Sequence, residues 1–415
     1  MDENFVIRSN TDFYVKNAGA ALVFPHTAQG RGTRPAREVL TGGARLPPRR
    51  GNNRGREGEY WGKTRKGTEG TRLIQRVGKS TLRFSEGPCV ESYASVVGKK
   101  EMEGPLGGWF DQCHQDTTLG EETWEKAESR MQKEAVQLAL HKGGLQKEEI
   151  DCIFAGDLLN QCISSTFGLR ELDIPFLGQY GACSTMAQTL AMAGVFVESG
   201  AARRAAAVTS SHFCSAERQF RLPLEYGGQR TPTAQWTATA SGAVVVGRQA
   251  PGGGGKTVRL REASFGRIMD FGVKDAANMG AAMAPAACRT LADYFADTGR
   301  RPEDFDLVLT GDLGQVGSSL LRELAEKEGL QLAPVHNDGG LMLYDLERQD
   351  VHAGGSGCGC SAAVLCSVVL GQMQAGKLRR VLFVGTGALM SPTSSQQGES
   401  IPGVAHLVCL TAGDA

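Results

Sequence analysis

The chain has 415 residues but no apolar run of the roughly 18–20 residues that a membrane-spanning helix needs. If the protein meets a membrane, it does so at the surface or through partners. There is no Cys-x-x-Cys pair and no His-Glu-x-x-His sequence, which excludes the commonest zinc-site signatures. The 11 cysteines are odd in number, scattered and mostly within apolar runs. This usage favours buried, reduced thiols in a cytosol-like compartment over a disulfide framework.

Nucleotide-binding signatures are missing as well. The chain has no Gly-x-Gly-x-x-Gly fingerprint of a dinucleotide site. The glycine run at 252–255 continues through Lys256 into a predicted strand at 257–261, whereas a phosphate-binding loop ends in Gly-Lys-Ser/Thr in front of a helix. We therefore expect a flexible hairpin here and no nucleotide cofactor.

Positive charge is concentrated near the N-terminus. Residues 1–77 hold 15 Lys/Arg and 7 Asp/Glu, and the remaining residues hold 30 and 38, so the whole chain is neutral. The segment 30–70 is rich in Arg, Gly and Pro without apolar periodicity, which predicts a disordered leader. A tail for nucleic acid or an anionic membrane is one interpretation of its charge. We favour a non-structural leader, or an upstream start with the true start near Val77.

Beyond this leader the sequence repeats itself. CIFAGDL at 152–158 recurs as LVLTGDL at 307–313, and a turn of small residues precedes an apolar helix at 181–185 and again at 357–361. A period this long indicates a domain duplication.

Segments with helical spacing precede both strand-like runs, at 122–141 and 285–298. The pattern predicts an α/β fold of two related halves, with helices layered between and around mixed β-sheets. We place the first half at 78–270 and the second at 271–415.

Cys183 is the first candidate for chemistry. It follows Gly181 and Ala182 and directly precedes a predicted helix. Backbone N–H groups and the helix dipole stabilise a thiolate at a helix N-terminus, which suits a nucleophile. A buried small residue at a tight strand-to-helix turn is the alternative that the spacing leaves open.

These motifs are similar to those of known proteins. A duplicated half with GACST before its central helix resembles the thiolase and ketoacyl-synthase superfamily. Many further blocks, from about Gly78 to the C-terminus, resemble the stage V sporulation protein AD family. They are EGPLG at 103–107, AGDLLNQ at 155–161, TSSH at 209–212, AERQFR at 216–221, EYGGQ at 225–229, MAPA at 283–286, HND at 336–338, GGSGC at 354–358 and SIP at 400–402.

The resemblance implies a thiolase-like fold and a role in spore formation. It also implies movement of dipicolinic acid, as its calcium chelate, into the forespore and out again at germination. Family members bind dipicolinate and act alongside integral membrane proteins of the same sporulation system. We accordingly expect a cytoplasmic-type protein held at the spore inner membrane through partners, with no nucleic-acid partner. No cofactor is expected, and calcium would enter only with the ligand.

The superfamily also implies a homodimer. Its members usually dimerise through the sheet edge of the first half, and we expect residues 203–210 to form the dimer strand.

The resemblance also identifies the positions where enzymes of the superfamily keep a base. They place a residue such as His after the first strand of the second half, and here that position is Asp312. A carboxylate beside a thiol raises the pKa of the thiol. Cys360 occupies the further position near the second central helix, and His336 could supply a base only from 24 residues beyond Asp312. We expect a vestigial Cys183 in a non-enzymatic binding protein. An acyltransferase with Cys183 as nucleophile is the first alternative, and a scaffold of a membrane channel assembly is the second.

A dipicolinate site needs cationic or N–H donors for two carboxylates and apolar walls for the pyridine ring. Arg218 and Arg221 offer guanidinium groups, and His212 just before them is a candidate imidazole ligand. The helix starts at Ser184 and Ser361 offer backbone N–H groups for an anion.

Two more polar residues follow the first strand-like run. Asp157, with Asp312 as its counterpart, could touch calcium, and Asn160 could touch the ligand. Each candidate also has a structural interpretation. The aspartates could cap turns, the arginines could pair with Glu217 or Glu225, and His212 could be a satisfied core residue. No metal site of the protein itself is predicted.

Overall fold

The computed structural model describes residues 73–220, 230–250 and 255–413. The strands are β1 (Ile74–Val77), β2 (Thr81–Phe84), β3 (Cys89–Gly98), β4 (Gln112–His114), β5 (Cys152–Gly156), β6 (Phe176–Gly178), β7 (Arg204–Ser211), β8 (Trp236–Thr237), β9 (Ala240–Gly247), β10 (Thr257–Phe265), β11 (Leu307–Thr310), β12 (His336–Asp338), β13 (Gly355–Ser356), β14 (Arg380–Ala388) and β15 (Gly403–Gly413).

The α-helices are α1 (Lys99–Met102), α2 (Trp124–Gly143), α3 (Ile163–Leu169), α4 (Thr185–Ser199), α5 (Phe213–Phe220), α6 (Met279–Thr298), α7 (Gly314–Lys327), α8 (Gly339–Leu343), α9 (Cys358–Val364), α10 (Leu370–Gln374) and α11 (Pro392–Gln396). A π-helical turn, Leu365–Val369, joins α9 to α10. Short 3-10 turns lie at Gly107–Trp109, Lys147–Glu149, Asn160–Cys162, Arg170–Leu172 and Pro302–Asp304. Within the described ranges, no helix is both long and apolar enough to cross a membrane.

The strand order is symmetrical about the middle of the sheet. The order is β12-β11-β14-β15-β10 in the second half, followed by β3-β9-β7-β5-β6 in the first. The strand β10, whose residues 257–265 we placed in the first half, therefore lies with the second half, because it pairs with β15 along its length. In each half two neighbouring pairs are parallel and two are antiparallel. The halves meet where β10 pairs with β3 through Arg259 and Cys89. The predicted duplication of a mixed α/β unit is confirmed.

Helices cover both halves and fill the space between them. On the first half, α2 packs on β3, β9 and β7; on the second, α6 packs on β14 and β15. Between the halves, α4 contacts β5 and β7 of the first half and β14 and β15 of the second, and α9 lies on β7 and β9. The close packing of α9 on β9 depends on glycine, because a Cβ at Gly242 would lie 2.6 Å from the carbonyl oxygen of Ala362.

The predicted helix at 122–141 is α2. The side chain of Thr123 accepts a hydrogen bond from the N–H of Lys126 at its start, and Gly144 ends it with φ of 63°. The second predicted helix begins earlier than expected, because the side chain of Asn278 caps α6 and Pro285 is accommodated inside it. The predicted strands at 257–261 and in both strand-like runs are found, whereas most of the glycine run at 252–255 and residues 1–72 lie outside the described residues.

The prediction that residues 203–210 form a free dimer edge is wrong. Residues 204–210 belong to β7, which is hydrogen-bonded to β5 on one side and β9 on the other. The outer strand of the first half is β6, and its Phe176 is 41% exposed. The long apolar strand was therefore an interior strand, as its burial requires.

Candidate functional site

Cys183 lies in a tight turn between β6 and α4. Ala182 adopts φ of 49°, which is uncommon for a residue with a side chain. The hydroxyls of Ser184 and Thr185 donate to the carbonyls of Gly181 and Ala182, at 2.7 and 2.6 Å. These bonds hold the turn, and Cys183 is 4% exposed.

Asp312 joins three segments of the second half next to this turn. Its Oδ2 accepts from the N–H of Gly357 at 2.7 Å and from the hydroxyl of Ser356 at 3.3 Å. Its Oδ1 accepts from the hydroxyl of Thr386 on β14 at 2.9 Å. The Oγ of Ser356 is 4.0 Å from the Sγ of Cys183. The carboxyl therefore lies at the floor of the site with both oxygens hydrogen-bonded.

The electrostatics of this site oppose a thiolate. Burial raises the pKa of the Cys183 thiol well above its ordinary value, and the charge of Asp312 raises it further. Burial also raises the pKa of Asp312 to about 6, although its hydrogen bonds act in the other direction. At neutral pH the arrangement is a protonated thiol next to a buried carboxylate.

The other predicted catalytic residues are not placed to act as a base. Cys360 is buried, its Sγ lies 4.0 Å from the carbonyl oxygen of Gly311, and burial raises the pKa of its thiol well above the usual range. His336 lies on the outer strand β12, where its ring hydrogen-bonds Thr310 at 2.9 Å and accepts from Arg322 at 3.2 Å. Burial and the Arg322 charge lower the pKa of His336 to about 3. The ring is therefore neutral at physiological pH, and both of its nitrogens are already hydrogen-bonded.

A small cavity lies over Cys183. Its free volume of about 30 Å³ is room for about two water molecules. Hydroxyls come only from Tyr180, Thr237 and Ser356 among its described lining residues, and the rest of the wall is apolar or thiol. The lining residues are Leu158, Tyr180, Ala182, Cys183, Ala216, Phe220, Thr237, Met279, Ser356, Ala388 and Met390.

Neither Arg218 nor His212 is among the described lining residues of this cavity. Arg218 forms an ion pair with Glu125 and lies over the ring of Trp124, 5.4 Å from its centroid. The structural interpretation of Arg218 therefore fits, but with Glu125 as its partner instead of the two glutamates expected. Arg221 lies outside the described residues.

His212 is a satisfied core residue. It is 1% exposed, and its Nε2 donates to the carbonyl of Thr117 at 2.7 Å. Its Nδ1 accepts from the N–H of Cys214 at 3.2 Å, and burial lowers the pKa of the ring. With both nitrogens used, no ring atom remains for a ligand.

Asp157 acts as a cap after β5. It accepts from the N–H of Leu159 at 2.9 Å and from the N–H and hydroxyl of Ser165 at 2.8 and 2.6 Å. Asn160 exchanges hydrogen bonds with Gln219 outside the cavity lining. The two repeated aspartates therefore hold different turns, Asp157 the one after β5 and Asp312 the one before α9.

The predicted anion sites at the two helix starts are already occupied by turns. The N–H of Ser184 donates to Gly181 at 3.1 Å, and the N–H of Ser361 donates to Gly357 at 3.4 Å. Both side chains are buried, and the hydroxyl of Ser361 donates to Cys358. Neither start presents a free donor from the residue that we predicted.

Sequence reasoning missed several residues that shape the site. Ser356 and Thr386 hold Asp312, and Met279 and Met390 reach the cavity from the second half. Ser356 lies within a block that carried the family resemblance, whereas the methionines had no local signal. Within the described residues, no group of three His, Cys, Asp or Glu side chains could hold a metal ion.

Comparisons with known proteins agree with this architecture. The family model described as Stage V sporulation protein AD matches residues 78–411. Stage V sporulation protein AD of Bacillus subtilis (strain 168) is 46% identical over 333 residues, which cover 80% of this chain and 97% of that protein.

The chain is also similar to solved structures. Cerulenin-bound OleA of Xanthomonas campestris is 12% identical, with a TM-score of 0.51 over 81% of this chain and 98% of that one. 3-Oxoacyl-[acyl-carrier-protein] synthase III of Aquifex aeolicus VF5 is 15% identical, with a TM-score of 0.48 over 78% of this chain and all of that one. The similarity to OleA supports the duplicated thiolase-like fold and, at this identity, no shared activity.

Proposed function

The chain belongs to the stage V sporulation protein AD family, and on that premise we propose that it is a non-enzymatic dipicolinate-binding protein. In this proposal it takes part in the uptake of dipicolinate into the forespore and in its release at germination. The ligand is dipicolinic acid or its calcium chelate, bound in the cavity over Cys183.

The contact between Asp312 and the cysteine site carries the non-enzymatic part of the proposal. A thiol becomes a nucleophile when its environment stabilises the thiolate. Here burial and the Asp312 charge both raise the pKa of Cys183, while His336 is committed to Thr310 and Arg322. Acyl transfer has support only from the fold, so we place it second.

The composition of the cavity supports a planar, partly apolar ligand. Leu158, Phe220 and Met390 can pack on an aromatic ring, and the hydroxyl of Ser356 can meet a carboxylate. An ionised Asp312 repels a free dianion and attracts a chelate that carries calcium. The free volume is smaller than a pyridine ring, so binding requires the mouth near Tyr180, which is 44% exposed, to widen.

Titration calorimetry of the full chain with dipicolinate, with and without calcium, tests the proposal. Ala216→Val narrows the cavity by two carbon atoms and is expected to weaken binding. Cys183→Ala is expected to retain it. Arg218→Ala is the matched control, because Arg218 pairs with Glu125 outside the cavity.

Three outcomes separate the readings. Saturable binding that is weakened only in Ala216→Val supports the proposal. No binding to the wild-type chain, with a covalent adduct from an acyl-CoA at Cys183, favours the acyltransferase. If neither result is obtained and the chain still associates with membrane proteins of the sporulation system, the scaffold is favoured.

We place the protein at the spore inner membrane through integral membrane partners, and we propose a homodimer built on β6. The exposed ring of Phe176 lies on this outer strand, and Phe167 on the preceding helix is 52% exposed. A second copy could extend the sheet there and cover both rings. Sedimentation of the wild-type chain as a dimer and of Phe176→Asp as a monomer would support this interface, and a wild-type monomer would contradict it.

A further inference from the structure

A second cavity in the described part of the chain is lined by arginines. Its free volume is about 580 Å³. Among its described lining residues Glu262 is the only acidic one, so these residues carry an excess of five positive charges. The arginines are Arg83, Arg259, Arg261, Arg300, Arg379 and Arg380.

This cavity is remote from Cys183. Arg380 begins β14, and Ala388 at the other end of the same strand lines the cavity over the cysteine. Eight residue steps of extended chain span about 26 Å. No residue lines both cavities.

Part of the arginine cluster is held in place by the protein itself. Arg261 donates to the hydroxyl of Thr411 and to the carbonyl of Glu86, both at 3.2 Å. Arg83 and Arg300 pair with the two oxygens of Glu262, at 2.9 and 2.5 Å. A guanidinium has five donors, so these arginines keep N–H groups for another acceptor.

Arg379 and Arg380 are exposed and differ from the other four. Their backbone N–H groups donate to Asp306 at 2.7 and 2.8 Å. Their guanidinium groups form no ion pair with any described residue. These two guanidinium groups, without an ion pair among the described residues, therefore line a cavity that already holds four others.

The first half contains the same backbone arrangement in a neutralised form. Arg203 and Arg204 begin the matching strand β7, and Arg203 is held by Asp151 at 2.9 Å. Arg204 pairs with Glu91 at 2.6 Å and with Glu149 at 3.2 Å. Each arginine of this pair has its own carboxylate.

The strand registers show which residues of the second half stand where the first half has these carboxylates. In the first half Arg204 on β7 pairs with Gly247 on β9, and Glu91 occupies the bulge in β3. The Glu91 carboxylate lies so close to Gly247 that a Cβ there would be 1.8 Å from its Oε1. In the second half Arg380 pairs with Thr411, and the bulge in β10 holds Arg261. The position of the Glu91 carboxylate in the first half is thus taken by Arg261 in the second.

We propose that this arginine cavity, at the matching end of the second half, binds a phosphate-type oxyanion with two or more negative charges. The exogenous oxyanion takes the place that the Glu91 carboxylate fills in the first half. Planar guanidinium forks match phosphate geometry, and preorganised arginines lose little freedom on binding. The phosphate can belong to a free small molecule or to a lipid headgroup.

Inorganic pyrophosphate titrated into the full chain by calorimetry is the first arm of the test. Flotation with phosphatidic acid vesicles, whose headgroup is a phosphomonoester, against phosphatidylcholine vesicles is the second. The test variant is Arg379→Gln with Arg380→Gln, which changes two exposed side chains. Its matched control is Arg203→Gln with Arg348→Gln, which removes the same charge at positions 80% and 87% exposed. Arg261→Glu restores the carboxylate of the first half as an independent variant.

Saturable pyrophosphate binding that weakens about 30-fold or more in the double variant, and is unchanged in the control, supports a free ligand. Binding to anionic vesicles alone, with the same dependence on the variants, supports a headgroup. Binding of either probe should weaken with added salt and should be lost in Arg261→Glu. Binding of neither probe, or equal binding by the test and control variants, overturns the proposal.

Discussion

Replacing Asp312 with asparagine is expected to stabilise the folded chain at neutral pH. Burial raises the pKa of Asp312 to about 6 from its ordinary value of 3.8. Between these values the folded chain keeps a proton that the unfolded chain has released. The contribution of this carboxyl to stability is therefore largest below pH 3.8 and is lost as the pH rises towards 6. Above pH 6 the ionised carboxyl costs about 3 kcal/mol of folding free energy.

The hydrogen bonds of Asp312 reduce the gain from its removal. Asparagine keeps one oxygen for the N–H of Gly357 and the hydroxyl of Ser356, and it can turn its amide group towards the hydroxyl of Thr386. We subtract about 1 kcal/mol for the weaker set of bonds. The expected gain in free energy of unfolding is about 2 kcal/mol at pH 7.5. At pH 4.5 the ionisation cost is only about 1 kcal/mol, so the gain should vanish there.

Urea unfolding of the wild-type chain and Asp312→Asn at both pH values measures this difference. Asp350→Asn is the control, because the side chain of Asp350 is 79% exposed and the substitution should change stability little at either pH. An Asp312→Asn variant that is destabilised equally at pH 4.5 and pH 7.5 would refute the reasoning. Such a result would mean that the hydrogen bonds fully offset the burial of the charge.

The same substitution should change the reactivity of Cys183. Removing the Asp312 charge lowers the pKa of the thiol, and every unit by which that pKa falls raises the thiolate fraction about tenfold. Labelling by iodoacetamide at pH 7.5, located by peptide mass spectrometry, should be slow in the wild-type chain and faster in Asp312→Asn. An equal rate in both proteins would show that burial alone protects the thiol.

Two further substitutions test packing and buried polar contacts by urea unfolding. Tyr294→Phe removes the hydroxyl that donates to Glu262 at 2.6 Å and should cost about 1–3 kcal/mol, so an unchanged midpoint would contradict the role of that bond. Gly242→Ala forces a methyl group against the backbone of Ala362 and should cost about 2 kcal/mol or more. Gly108→Ala has open space and serves as its control, and equal effects of the two would contradict the close approach of the halves.

Most of the topology could be predicted because it repeats. Two runs of the same sequence pattern, each after a segment with helical spacing, predicted two copies of one α/β unit, and the symmetrical sheet has that arrangement. The edge of the sheet was harder to predict. The buried strand β7 has the apolar composition of an interior strand, whereas the outer strand β6 has only three residues and little pattern of its own.

The site could be predicted only where chemistry was local. The turn at Cys183 and the position of Asp312 depend on nearby sequence. The partners of Arg218 and His212 do not, because Glu125 and Thr117 are more than 90 residues away in the chain. The donors at Ser184 and Ser361 also looked free in sequence, because a motif does not show that the turn already uses them.

Matched positions in the two halves have taken different roles. Asp157 caps a turn within the first half, whereas Asp312 accepts hydrogen bonds from the turn before α9, whose Ser356 lies beside Cys183. In the same way Glu91 neutralises an arginine, whereas Arg261 adds to an arginine cavity with Arg380. A duplicated fold has two copies of every position, so one copy can preserve the fold while the other contacts a ligand. We therefore expect substitutions of Asp157 and Glu91 to lower stability, and substitutions of their second-half counterparts to change binding.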